Sequence, residues 1–111
     1  MLESYGSTRN SKNLIHFLHG NSLTPQSYDG MLKEINKTSN INIFYFRPLW
    51  TKVKEPTFKN WDIFLEDYLL SIKDKKNIIG IGHSFGGNII LKAAMLYPDK
   101  FKKIILLDPT F

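Results

Sequence analysis

The sequence predicts an α/β fold in which a parallel sheet carries helices on both of its faces. Segments with a strand pattern alternate along the chain with segments that place apolar residues at helical spacing. The strand segments are apolar throughout, which is typical of parallel strands because such strands are covered on both sides. The 111 residues are enough for one small domain with one sheet.

The first predicted strand covers residues 13–19, NLIHFLH, and ends at Gly20. A helix follows, because Thr24 supplies a capping hydroxyl and Pro25 suits the first helical position. Its apolar face is formed at helical spacing by Tyr28, Met31, Leu32 and Ile35. Residues 1–12 are polar, and we expect them to be either disordered or a partial edge strand beside a core domain of residues 13–111.

The remaining elements continue the alternation. Residues 41–47, INIFYFR, are β-branched and aromatic and predict a second strand. The clearest helical stripe comes next, formed by Trp61, Phe64, Leu65, Tyr68, Leu69 and Ile72. A strand over 77–82, a helix over 85–97 and a last strand over 103–108 complete the pattern.

A glycine-rich stretch lies between the third strand and the third helix. Residues 82–86, GHSFG, match the pattern G-x-S-x-G in the strand–turn–helix setting that this motif requires. We expect a turn too tight for side chains at Gly82 and Gly86, with Ser84 held in a strained conformation and its hydroxyl exposed above the sheet. Gly87 would let the helix pack closely on the neighbouring strand.

The same turn predicts half of an oxyanion hole. The amide of Phe85 opens the helix, where the helix dipole favours negative charge. A second amide must come from another loop, and His19-Gly20-Asn21 at the end of the first strand is the natural source. Gly20 allows a sharp bend, after which the Asn21 amide can point at the same oxygen.

Three segments together resemble the N-terminal half of an α/β-hydrolase: FLHGN at 17–21, GIGHSFGG at 80–87 and YPDKFKKIILLDP at 97–109. The resemblance covers residues 13–111. It implies that Ser84 is the nucleophile, that the amides of Asn21 and Phe85 hold the oxyanion, and that His19 belongs to the oxyanion loop. It further implies a serine hydrolase for a small ester or related acyl substrate, with no metal and no organic cofactor. An acyltransferase or a C–C hydrolase is also compatible with this scaffold.

The sequence does not assign the acid and the base of a catalytic triad. The family's chain order is serine, acid, histidine, and no histidine follows Ser84. We expect His16 to be a core or edge residue, His19 to order its loop, and the His83 ring to point away from the serine hydroxyl. Asp108 is either the triad acid or a plain strand end that orders the following loop. We therefore expect a partial α/β-hydrolase, with its C-terminal part missing, that is inactive or nearly so as given.

The sequence indicates two further surfaces. Trp50 either lines a substrate pocket or caps the core. The last strand is apolar on both sides with no helix after it, so it predicts an exposed edge through which two copies could associate. This strand supports the alternative hypothesis, a short natural protein that is a non-catalytic binding or oligomerising module.

Composition and charge argue against several other classes of protein. The net charge is +5, but the lysines are scattered or sit at turns, which indicates a solvated surface and not a nucleic-acid interface. There is no cysteine, no apolar run long enough to cross a membrane, and no apolar stretch of the signal-peptide kind in the first dozen residues. We expect a cytoplasmic protein that binds a small-molecule substrate.

Overall fold

A computed structural model describes residues 2–8, 13–20, 25–45 and 61–109. The strands are β1 (Leu2–Tyr5), β2 (Leu14–Leu18), β3 (Asn40–Phe44), β4 (Ile78–His83) and β5 (Phe101–Leu107). The helices are α1 (Asp29–Asn36), α2 (Trp61–Ser71) and α3 (Phe85–Leu96), and single 3₁₀ turns precede α1 and β5 at Pro25–Tyr28 and Pro98–Lys100.

The five strands form one sheet in the order β1-β3-β2-β4-β5. Strands β3, β2, β4 and β5 pair with one another in parallel, while β1 runs antiparallel to β3, with Leu2 opposite Phe44. The predicted α/β class is therefore confirmed, and the antiparallel edge makes the sheet mixed. Side-chain hydrogen bonds hold the N-terminal segment in place. Tyr5 Oη donates to Asp29 Oδ1 (3.1 Å), the Ser7 amide donates to Asn36 Oδ1 (3.0 Å), and Asn36 Nδ2 donates to the Ser7 carbonyl (2.9 Å).

Several boundaries differ from those predicted. The predicted first helix begins as the 3₁₀ turn, and its α-helical part starts only at Asp29. Strand β5 begins at Phe101, two residues before the predicted start, because Phe101 already pairs with Ile78 of β4. The register then shifts by one residue at the exposed Lys102, and Lys103 pairs with Ile79. Strand β3 ends at Phe44, and residues 46 and 47 of the predicted strand lie outside the described residues.

The core has two layers, one on each face of the sheet. Side chains of α2 and α3 pack with Leu18 of β2 on one face. Leu32 of α1 packs with Phe17 and Ile43 on the other face. Because neighbouring residues of a strand point to opposite faces, the buried side chains of β2 serve both layers. Helices cover both faces, as predicted.

Strand β5 forms the margin of the sheet on the side opposite β1. Ile105 is 40% exposed, and Lys102 and Lys103 are also exposed. Within the described part of the chain, no other strand pairs with the outer edge of β5. In the same residues, no helix is long and apolar enough to span a bilayer.

Candidate active site

Ser84 lies on the turn between β4 and α3 in a conformation that is rare for a residue with a side chain. Its backbone has φ 53° and ψ −116°. Such strain persists only where the surroundings determine the backbone. The Ser84 amide donates to the Leu107 carbonyl of β5 (3.0 Å), and its carbonyl accepts from the Asn88 amide of α3 (3.3 Å). The side chain is only half-buried.

The glycines around Ser84 sit where added carbons would strike backbone. A Cβ atom at Gly82 would lie 2.5 Å from the Gly86 carbonyl oxygen, and one at Gly86 would lie 2.1 Å from the Leu18 carbonyl oxygen. The turn is therefore pressed against the end of β2. At Gly87 an added Cβ would lie 3.2 Å from both the Gly82 oxygen and Pro109 Cβ, which is tight but less severe.

The loop after β2 reaches the serine turn. A Cβ atom at Gly20 would lie 3.5 Å from Ser84 Cβ and 3.1 Å from His83 Nδ1. Phe85 is the first residue of α3, and its ring is buried against Phe64 with ring centres 5.4 Å apart. The backbone segments predicted to supply oxyanion donors thus adjoin each other at Gly20, Ser84 and Phe85.

Two predicted site residues fall outside the described residues. They are Asn21, the second oxyanion donor, and Trp50, the possible pocket residue. Their roles stay predictions.

Each of the three histidines has an identified partner for Nδ1. His16 is fully buried with Nδ1 3.1 Å from Tyr68 Oη, and burial lowers its pKa to about 4. Its Nε2 atom finds no hydrogen-bond partner among the described residues. His19 is buried and its Nδ1 donates to the Gly20 carbonyl (2.8 Å), since a carbonyl can only accept. His83 Nδ1 lies 2.8 Å from Tyr28 Oη.

Tyr28 is a residue of the site that sequence reasoning missed. The helical stripe predicted it as a core residue, and its ring does pack edge-on against Phe17 with ring centres 4.6 Å apart. Its hydroxyl, however, accepts the Gly20 amide (2.9 Å) and contacts His83 Nδ1. The only signal in the sequence for this role is that the apolar face of the predicted helix carries a tyrosine at this position. A phenylalanine would have completed that face without adding a hydroxyl.

Asp108 and Ser84 both lie at the carboxyl ends of the parallel strands, Ser84 after β4 and Asp108 after β5. Leu107, the residue before it, pairs with His83 and accepts the Ser84 amide. Asp108 itself is exposed, with φ 46°, a conformation that aspartate adopts more readily than most residues. This placement fits both the triad acid and the plain strand end. Among the described residues, no three His, Cys, Asp or Glu side chains are grouped as metal ligands.

The chain belongs to the alpha/beta hydrolase fold family, whose sequence profile matches residues 47–111. It is 30% identical over 109 residues to a type I acyl-CoA thioesterase of Penicillium brevicompactum, covering 82% of this chain and 25% of the relative. It is also 30% identical over 92 residues to a 1-acylglycerol-3-phosphate O-acyltransferase of Saccharomyces cerevisiae, covering 68% of this chain and 23% of the relative.

A solved structure has a similar fold. The crystal structure of a putative hydrolase from Rickettsia typhi superposes with a TM-score of 0.72 at 28% identity, covering 95% of this chain and 38% of that one. The chain spans about a quarter of the length of the curated relatives that it matches.

Proposed function

We propose that the protein is a serine-dependent acyl hydrolase that cleaves a small carboxylic ester or thioester. The observation that carries the proposal is the strained Ser84 turn with the loop after β2 packed against it. Ser84 Oγ attacks the carbonyl carbon and loses its proton to a base. The amides of Phe85 and Asn21 stabilise the negative oxygen, a contribution of about 3 kcal/mol per donor in comparable enzymes. The alcohol or thiol then leaves with a proton, and water hydrolyses the acyl-serine.

The relatives support acyl transfer as the reaction class. One is named as an acyl-CoA thioesterase and the other as an O-acyltransferase. Both names describe transfer of an acyl group, and they differ in whether water or an alcohol accepts it. An acyltransferase is therefore the nearest alternative, while the C–C hydrolase of the sequence interpretation gains no support.

We assign the base to a histidine outside these 111 residues. The assignment follows the family's chain order, in which the histidine comes after the serine and the acid, and no histidine follows Ser84 in these residues. His16 is in addition fully buried, and its low pKa makes it a poor proton acceptor. Asp108 is the candidate acid that would orient such a histidine.

Labelling with a fluorophosphonate probe tests the nucleophile. We expect intact-mass analysis to show one adduct on the chain, formed slowly alone and faster with added imidazole, which replaces the missing base. Ser84→Ala should abolish the adduct. Ser71→Ala is the matched control, because Ser71 is a helix residue whose hydroxyl bonds the Asp67 carbonyl. An adduct of equal yield on Ser84→Ala would refute the assignment.

The exposed margin of β5 favours a second candidate function, association with another copy of the chain. Ile105 is 40% exposed on this strand, and apolar surface at a sheet edge favours pairing. Lys102 and Lys103 oppose it, since like charges would approach each other in a paired edge. A stable dimer that lacks any Ser84 adduct would favour this non-catalytic module over the hydrolase.

A further inference from the structure

We infer that the Tyr28 hydroxyl is a positioning group that ties the loop after β2 to the serine turn. The inference rests on the proposed function. The hydroxyl oxygen lies 2.9 Å from the Gly20 amide nitrogen and 2.8 Å from His83 Nδ1. One side chain at the start of α1 thus joins two segments that are far apart in the sequence, and both adjoin Ser84.

The direction of the first hydrogen bond follows from the groups involved, and that of the second depends on the His83 tautomer. An amide can only donate, so Tyr28 Oη accepts from Gly20. Burial raises the pKa of the Tyr28 phenol, so it keeps its proton and can donate it to His83 Nδ1. In the tautomer that accepts this bond at Nδ1, the ring proton of His83 is on Nε2. With that tautomer the bonds run in one direction, from Gly20 through Tyr28 to His83.

This chain of bonds has a consequence for the oxyanion hole. The Gly20 amide is already used by Tyr28, so Gly20 is not the second oxyanion donor. The bond from the Gly20 amide to Tyr28 instead fixes the orientation of the His19–Gly20 peptide. This peptide directly precedes the one that carries the Asn21 amide. The Tyr28 ring is itself held by Phe17 and His83, with ring centres 4.6 and 5.5 Å away. Preorganised donors are effective because they need no rearrangement as charge develops.

The alternative is that the Tyr28 hydroxyl stabilises the fold without positioning any part of the site. The two readings differ in the rate of the reaction per folded molecule. A positioning group affects the rate of acylation more than it affects the binding of the probe. A stabilising group changes only the fraction of molecules that are folded. Small displacements of positioned groups can cost up to about 100-fold in rate.

The test compares Tyr28→Phe with Tyr5→Phe. Tyr5→Phe is matched because it also removes one half-buried hydroxyl, whose partner Asp29 follows Tyr28 in the chain but belongs to neither the serine turn nor the segment after β2. We expect Tyr28→Phe to slow the maximal rate of fluorophosphonate acylation at Ser84 by about tenfold, with imidazole present and little change in the half-saturating probe concentration. Tyr5→Phe should keep the wild-type rate. Equal rates in both variants would overturn the inference.

A second pair of variants guards against misfolding. His83→Asn places an amide oxygen near the Nδ1 position and should keep the bond from Tyr28, so its acylation rate should stay close to that of wild type. His83→Ala removes the acceptor and should behave like Tyr28→Phe. Equal losses in His83→Asn and His83→Ala would contradict the positioning role.

Hydrogen exchange provides a readout that does not depend on catalysis. In Tyr28→Phe the Gly20 amide should exchange at least about tenfold faster than in wild type, while amides at the centre of β2 keep their protection. If wild type forms no Ser84 adduct but this change appears, the proposed function fails and the tie between the two loops stands. If the Gly20 exchange rate is unchanged, the tie itself is wrong.

Discussion

Replacing Gly86 by alanine tests the steric basis of the serine turn. The added carbon would lie 2.1 Å from the Leu18 carbonyl oxygen and 2.7 Å from the His19 carbonyl oxygen. Both obstacles are backbone atoms, so no side-chain rotation can relieve the overlap. Either β2 or the start of α3 must move, and both are held in the sheet and the core.

The expected loss follows from two opposing effects. Overpacking of a well-packed site costs about 1–3 kcal/mol and more where backbone must move, whereas replacing glycine by alanine in a helix gains about 1 kcal/mol. Because the overlap is with backbone, we take the upper end of the cost and expect a net loss of about 2 kcal/mol in the free energy of unfolding. With a urea dependence of about 1.5 kcal/mol/M, the midpoint of unfolding should fall by about 1.3 M.

Gly30→Ala is the matched control in the same assay, urea unfolding followed by circular dichroism. Gly30 lies in α1, and a Cβ atom there would meet nothing within 4 Å. Only the helix preference remains, so this variant should gain about 0.5–1 kcal/mol. A Gly86→Ala midpoint equal to that of wild type would show that the close contact with β2 is not present in solution.

Three further changes test the buried histidine, the exposed strand and the candidate acid. The pKa of His16 is about 4 in the fold against 6.5 when unperturbed. Below pH 6.5 only the unfolded chain binds this proton, so the free energy of unfolding should fall by about 3 kcal/mol between pH 6.5 and 4. His16→Leu should remove this slope while Tyr68→Phe keeps it, and an unchanged slope in His16→Leu would contradict the assignment. Ile105→Lys should shift any dimer seen by sedimentation towards monomer, and an unchanged dimer would exclude the β5 edge as its interface. In a full-length protein that carries the base, Asp108→Asn should lower kcat on the order of 10⁴-fold if Asp108 is the triad acid. A loss of less than about tenfold would leave Asp108 as a plain strand end.

The sequence predicted the parts of the site that depend on local sterics. Gly82 and Gly86 flank Ser84 by two residues on either side, and a strand-to-helix turn with that spacing needs small residues at those positions. The alternation of elements likewise predicted a layered α/β fold, because periods of about two and 3.6 residues are properties of each segment alone.

The edge strand β1 could not be predicted with equal certainty, because its pairing depends on a partner elsewhere in the chain. The segment is polar, and an edge strand needs no continuous apolar run. Its antiparallel register with β3 and its bonds to Asp29 and Asn36 exist only once α1 and the sheet are assembled.

By itself, the sequence determined the order of the elements, the glycine-flanked serine and the loop with which that serine should cooperate. These features follow from short-range spacing, which each segment carries within itself. Only the tertiary structure decided that the Tyr28 hydroxyl meets Gly20 and His83, the latter 55 residues away. That contact requires β2 and β4 to be neighbours in the sheet, a property of the whole chain's packing that no local pattern contains.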